Sequence, residues 1–421
     1  MSNNIQRRRG FRDLLPLPAC LLTVRAASRG SGRGRPHSLA LLACLLTAVP
    51  VLWVEGAQAE AVITHPYRGL TYITRKEISP RPLVMHIVLI NMAEPGLAFK
   101  LTPPGGTRDT VRQTTADFLN QEQAQVAIDA HFFLPFPSDE TNANVVGLAA
   151  SQGTVYSPFE PQPITPDYVD QSYAIIPYAA ALNIDRYNRA RIVHRDPSYA
   201  DNKHVLERVT LWNAVAGSAQ IITDGVKTIP DYSGTPTGLN PLYGYTNGNS
   251  WYFYPAGRTC IGLSLHSETL VLFTVDEAGG SDGMTVGEAA DLLMADYHVY
   301  NALNLDGGGS TSMALQDPVT HLGQIVNASG DVSAGRATGS NLAVFAVPYP
   351  PGPLLSLTVT ATNGVIVSWP APSTGWQLQE NPGLALTNWV NVCAIPWCVG
   401  DRVQVNLLPQ APGRFYRLMN R

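Results

Sequence analysis

The chain has 421 residues, of which 45% are hydrophobic and only 14% charged. Its length allows one large domain or two to three modest ones, and 36 Gly with 33 Pro favour strands and loops over a helical bundle. Residues 1–59 hold eight Arg against two acids, so the net charge of −4 becomes −10 without them; such an acidic remainder argues against nucleic acid as a partner.

In chain order, the first 59 residues read as a leader. Ser38–Val54 is an uncharged apolar run, and Ala57-Gln58-Ala59 follows it. Basic region, apolar core and small-residue exit describe a secretory signal peptide, so a secreted or periplasmic location is expected. A retained single-span anchor is the alternative, since this run sits at the short end of spanning lengths. Export makes a disulfide permissible. Cys393 and Cys398 bracket a short Pro-containing turn and are candidates to pair, which leaves Cys260 a lone buried thiol.

Leu83 to Ile90 is continuously apolar and reads as a buried strand; Thr110 to Gln123 reads as a short helix. Gln125 to Phe133 is a buried strand running into Asp129, His131 and two aromatics, which Pro135 and Pro137 stop from extending. Residues 147–157 read as strand, turn, strand about Gln152-Gly153. Residues 158–172 are Pro-rich and loop-like, Asp185 to Asp201 is polar surface, and Ala219 to Thr223 closes on a hairpin signal at Asp224-Gly225. Thr228 to Asn249 is a long loop, read as a rim over a site because long loops are uncommon unless functional.

Arg258–Leu265 and Thr269–Asp276 form a hairpin. Thr285 to Tyr297 is a helix with Thr285 and Glu288 spaced as a capping box, and Asn301–Asp306 is the next strand. Strand, helix, strand implies a right-handed crossover and two parallel neighbours. Asp276 and Asp306 would then end both strands at one sheet edge. After Asp306 come Gly307, Gly308 and Gly309, then Ser310 and Thr311. A run without Cβ atoms can approach a ligand closely, and its N–H groups can form an anion-binding concavity. Asp129, Asp276, Asp282 and Asp306 could alternatively supply oxygen ligands to Ca²⁺ or Mg²⁺. Residues 348–353 are a Pro-rich linker, and 354–421 carry four of the seven Trp with alternating runs that suggest a small β-sandwich.

Several stretches together resemble the phosphodiester glycosidase domain family. They are AIDAHFF (127–133), GLAASQGTVYS (147–157), AVAGSAQIITDG (214–225), RTCIGLS (258–264), LVLFTVD (270–276), SDGMTVGEAADLL (281–293), NALNLDGGGSTSMAL (301–315), Val326-Asn327 and GRATGSNLAVF (335–345). The resemblance implies an α+β domain over 60–347, a mixed sheet with packed helices, followed by the all-β tail. It implies a glycoside hydrolase that cleaves the bond between a sugar's anomeric carbon and a phosphodiester oxygen, in cell-surface or extracellular polysaccharide turnover. On that reading Asp306 stabilises or attacks the anomeric centre, Glu288 or Asp282 is the second carboxylate, and Asp129 and His131 contact sugar hydroxyls or orient the acid. Arg258 and Arg336 hold phosphate with Gly307–Gly309, Ser310 and Thr311. No cofactor is required, though a divalent cation at Asp276 is an option. The family usually has Asn where Asp129 stands. That departure keeps a non-catalytic saccharide-binding or envelope protein as the alternative, with a nuclease-like phosphodiesterase third; the tail is a candidate for envelope association.

Overall fold

The computed structural model of the chain describes residues 60–161, 175–232, 246–248, 250–331, 333–349, 352–362, 364–383, 388–408 and 413–420. The leader, most of the 158–172 and 228–249 loops and the centre of the 348–353 linker lie outside these residues. Among the described residues no helix is long and apolar enough to cross a membrane.

An eight-stranded sheet organises the body. Its order is Glu60–Thr64, Leu70–Glu77, Leu83–Asn91, Thr269–Val275, Arg258–Ser264, Val299–Asn304, Ala219–Thr223, Val226–Lys227. A five-stranded sheet faces it, in the order Gly323–Ile325, Met313–Gln316, Val126–Asp129, Asn341–Phe345, Ala98–Leu101. A second five-stranded sheet carries Ala149–Ser151 next to Asn213–Ala216. One core fills the space between these sheets and includes Val88, Ile261, Leu303, Ile128, Leu342 and Leu182. Both faces of the large sheet are covered, which is why Leu83–Ile90 reads as an apolar run with His86 its one polar residue: Val88 and Ile90 face the other sheets, while Met85 and Ile87 join the second core.

That second core is closed by α2 (Val286–Tyr297), whose Val286, Ala289, Ala290 and Leu293 are buried. Thr285 caps it: its hydroxyl accepts from the Glu288 N–H, and the Glu288 carboxylate accepts from the Thr285 N–H, a reciprocal capping box. The shorter α1 (Thr115–Glu122) lays Phe118 and Leu119 on Ala127, Ala314 and Ala343. In the tail, strands from two small sheets share a core of Val367, Trp369, Leu378 and Val405.

Three expectations change. The described strand pairings are antiparallel throughout, for example Arg258 with Val275 and Cys260 with Asn304, so the sheet is not mixed, and the described residues are mostly β with two α-helices. The strands flanking α2 do run parallel but are not neighbours, because Arg258–Ser264 inserts between them. Cys393 and Cys398 are free and exposed rather than paired; Cys260 is buried as expected.

Candidate active site

Side chains alternate across a strand, and the two cores on either side of the large sheet reveal which way each faces. Leu303 and Leu305 belong to the inter-sheet core and Ala302 to the α2 side. Asp306 continues the parity of Ala302, while Asp276 continues that of Leu270 and Leu272 on the inter-sheet side. The two acids end strands at one edge but point to opposite faces. Asp276 instead lies 3.4 Å from His86, whose other ring nitrogen meets the Tyr72 hydroxyl at 2.7 Å.

Asp306 borders a cavity of about 220 Å³ whose other walls are Arg258, Arg336, the Gly307–Ser310 backbone and an aromatic set of Phe132, Phe133, Phe136, Trp251 and Tyr254. The carboxylate is anchored through its own backbone, where the Asp306 N–H donates to the Ala130 carbonyl at 3.0 Å. The chain then turns sharply. Gly308 has φ +56, a left-handed conformation natural to glycine. At Gly309 a Cβ would stand 2.2 Å from the Asp331 carboxyl, so any side chain there would displace the Arg336–Asp331 pair from its present place.

Arg258 carries the clearest electrostatic signal. It is 3% exposed, and its Nε and Nη2 donate to the carbonyls of Met284 (2.9 Å), Trp251 (2.6 Å) and Tyr254 (2.7 Å). None of these is an acid, and burial pulls its pKa down. Arg336 is different. It pairs with Asp331, donates to the Ser310 hydroxyl at 2.9 Å and lies over Phe136. Burial pushes the Asp306 carboxyl up to about 6, against the opposing pull of the Ser310 hydroxyl, the Gly307 N–H at 2.8 Å and Arg336.

The remaining expected site residues fall elsewhere. Glu288 forms a bidentate pair with Arg81 at 2.9 and 2.6 Å besides capping α2, and the Arg81 bonds hold its carboxyl down at about 2. Asp282 is exposed on the irregular stretch before α2. Neither borders the cavity, so neither is the second carboxylate beside Asp306. His131 is wholly buried: Nδ1 meets the Ser340 hydroxyl at 2.8 Å and Nε2 accepts from the Ala216 N–H at 3.0 Å. Burial lowers its pKa to about 4; it is a structural neutral imidazole, not a contact for sugar hydroxyls. Thr311 is buried behind the loop. The Gly307 and Gly308 N–H groups bond to Asp306 and to the Gly257 carbonyl, so they are committed within the protein rather than cradling an anion. Among the described residues no three His, Cys, Asp or Glu side chains converge as metal ligands, and the four aspartates do not form the anticipated cation site.

Sequence reasoning missed Trp251, Tyr254, Phe136 and Asp331. Trp251 and Tyr254 follow a long loop with no periodic signal, while the Phe132–Phe136 cluster was visible beside Asp129 but had no assigned use.

The sequence profile described as phosphodiester glycosidase matches residues 123–345, more than half of the chain. The chain belongs to the phosphodiester glycosidase family. The matched span of this phosphodiester glycosidase-family chain contains every cavity-lining residue named above. Among solved structures it is similar to a hypothetical protein from Synechocystis, at 16% identity and TM-score 0.45, covering 69% of this chain and 68% of that one. It is also similar to the zebrafish N-acetylglucosamine-1-phosphodiester alpha-N-acetylglucosaminidase catalytic domain auto-inhibited by its pro-peptide, at 17% identity and TM-score 0.43, covering 69% and 83%. A comparison with curated proteins gives no match.

Proposed function

We propose that this protein is an exported hydrolase that cleaves glycosyl phosphodiesters at the bond between the anomeric carbon and the phosphodiester oxygen. One observation carries the reading: a buried guanidinium whose hydrogen bonds go to carbonyls and not to an acid, Arg258, with Glu277 acting on it only at longer range, shares an aromatic-walled cavity with the Asp306 carboxylate. A cation left unpaired at a cavity wall suits an anionic ligand, aromatic faces suit the apolar faces of a sugar ring, and a carboxylate stabilises a developing oxocarbenium ion.

In the reaction the C–O bond breaks and the phosphate leaves as an anion, received by Arg258 and assisted by Arg336. Water adds to the anomeric carbon beside Asp306, giving the free sugar, a phosphate monoester and a proton. A phosphate leaving group departs without strong protonation, which suits a cavity bordered by one carboxylate. The reading requires no resident cofactor, since Arg258 already supplies positive charge. Polysaccharide turnover at the cell surface fits the signal-like leader, and the tail is a candidate for envelope attachment.

The test is a panel of hexose 1-(methyl phosphates) assayed for free sugar, with Asp306→Asn alongside. Wild type should release sugar, with oxygen from labelled water on the sugar, and the folded variant should lose at least about a hundredfold in kcat. A folded, fully active variant, or label on phosphate, would remove this mechanism.

A further inference from the structure

The chemistry above uses one carboxylate, and a second stands behind it. Asp129 ends the strand Val126–Asp129 and is wholly buried. Its Oδ1 accepts from the Thr259 hydroxyl at 2.7 Å and from the Ser312 N–H at 2.8 Å. Its Oδ2 is buried and, among the described residues, meets no hydrogen-bond partner. A fully ionised carboxylate with one oxygen stranded in a dry interior is strongly disfavoured.

The surroundings offer no relief for a negative charge. The paired strands Met313–Gln316 and Asn341–Phe345 contribute only uncharged side chains. The titratable groups facing Asp129 are Asp306, whose like charge acts on it, and the Cys260 thiol, which burial pushes up to about 12. His131, two residues on, is neutral at pH 7 because burial lowers it to about 4. Burial first, then Asp306, raise the Asp129 carboxyl well above the usual carboxylate range.

We infer that Asp129 keeps its proton on Oδ2 in the working protein, and that this neutral acid is what allows an anionic phosphodiester to settle beside Asp306. Oδ1 remains free to accept both of its hydrogen bonds. The cavity floor then presents the single negative charge of Asp306 opposite Arg258. Were Asp129 ionised, the incoming phosphodiester would face a second negative charge close behind that of Asp306. Asp129 acts through the charge of the site and is a positioning residue. Its loss of a proton should raise KM rather than lower kcat.

The binding half of this inference rests on the function proposed above; the protonation half does not. Asp129→Asn keeps the shape and the accepting carbonyl and removes the titration. At pH 7 the wild type should show the infrared band of a protonated carboxyl, and Asp129→Asn should lack it. With hexose 1-(methyl phosphate), wild-type KM should climb about tenfold per pH unit once the proton is lost, with kcat steady, and Asp129→Asn should flatten that climb. An unchanged infrared spectrum, or the same climb in the variant, overturns the inference. If Asp129→Asn does not fold, the wild-type band decides, because it must vanish over the pH range in which KM climbs. A wild type that turns over no glycosyl phosphodiester sinks the proposed function, and the infrared band still rules on the protonation of Asp129.

Discussion

At the scale of single residues, the site sets function against stability. Burial holds the Asp306 proton more tightly on the folded protein than on the unfolded chain, with a folded value of about 6. The extra stability is therefore present below about pH 4 and is lost as pH rises through 6. Asp306→Asn removes that loss. In denaturant titrations at pH 7 it should be more stable than wild type by on the order of 2 kcal/mol, with the two converging below pH 4. Catalysis that needs the ionised carboxylate should rise over the interval in which stability falls. Arg258 behaves oppositely, since its guanidinium both faces the cavity and ties down three carbonyls. Arg258→Lys keeps a charge but cannot hold that fork. It should raise KM about tenfold or more and lower stability by about 2 kcal/mol, read from initial rates and urea unfolding.

At the scale of elements, α2 shows how a motif can be read correctly and assigned the wrong task. The spacing of Thr285 and Glu288 announced a capping box, and the box is present. The carboxylate that completes it bonds Arg81 and so has no freedom to serve the cavity. Glu288→Gln should lower stability by about 1 kcal/mol, a small figure because the side chain is 42% exposed and screened by solvent. Its pKa is lowered in the folded state, so the contribution is present above about pH 4 and fades as pH falls toward 2. Turnover of glycosyl phosphodiesters by this variant should match wild type. The loop after Val299–Asn304 was legible as a site from Asp306 and its three glycines, but not in its working. The glycines let Asp306 and the Arg336–Asp331 pair approach the cavity, while Gly307 and Gly308 direct their N–H groups inward.

At the scale of the whole molecule, separate cores divide the labour. The inter-sheet core and the α2 core fix the cavity, whereas Val367, Trp369, Leu378 and Val405 form a distinct core in the tail. Trp369 is 1% exposed, so it is packing rather than a sugar platform. Trp369→Ala should destabilise the tail by about 3–5 kcal/mol while kcat/KM on a glycosyl phosphodiester stays unchanged. Thermal unfolding followed by Trp fluorescence, together with the activity assay, checks both halves.

The chain by itself determined the strands about the site, the capped helix, the loop after Asp306 and the family, because these rest on local periodicity, turn chemistry and short motifs; it missed the buried strand Ala190–Val193, read as polar surface, and the strand Thr110–Val111, read as helix. Only the tertiary structure decided that Arg258–Ser264 lies between two parallel strands, that Asp276 and Asp306 face opposite ways, and that His131 and Asp129 are sealed inside. It also decided that aromatics from distant segments wall the cavity. The reason is physical: alternation along a strand says that successive side chains oppose each other, but which face meets solvent, core or cavity depends on pairings made across long stretches of sequence.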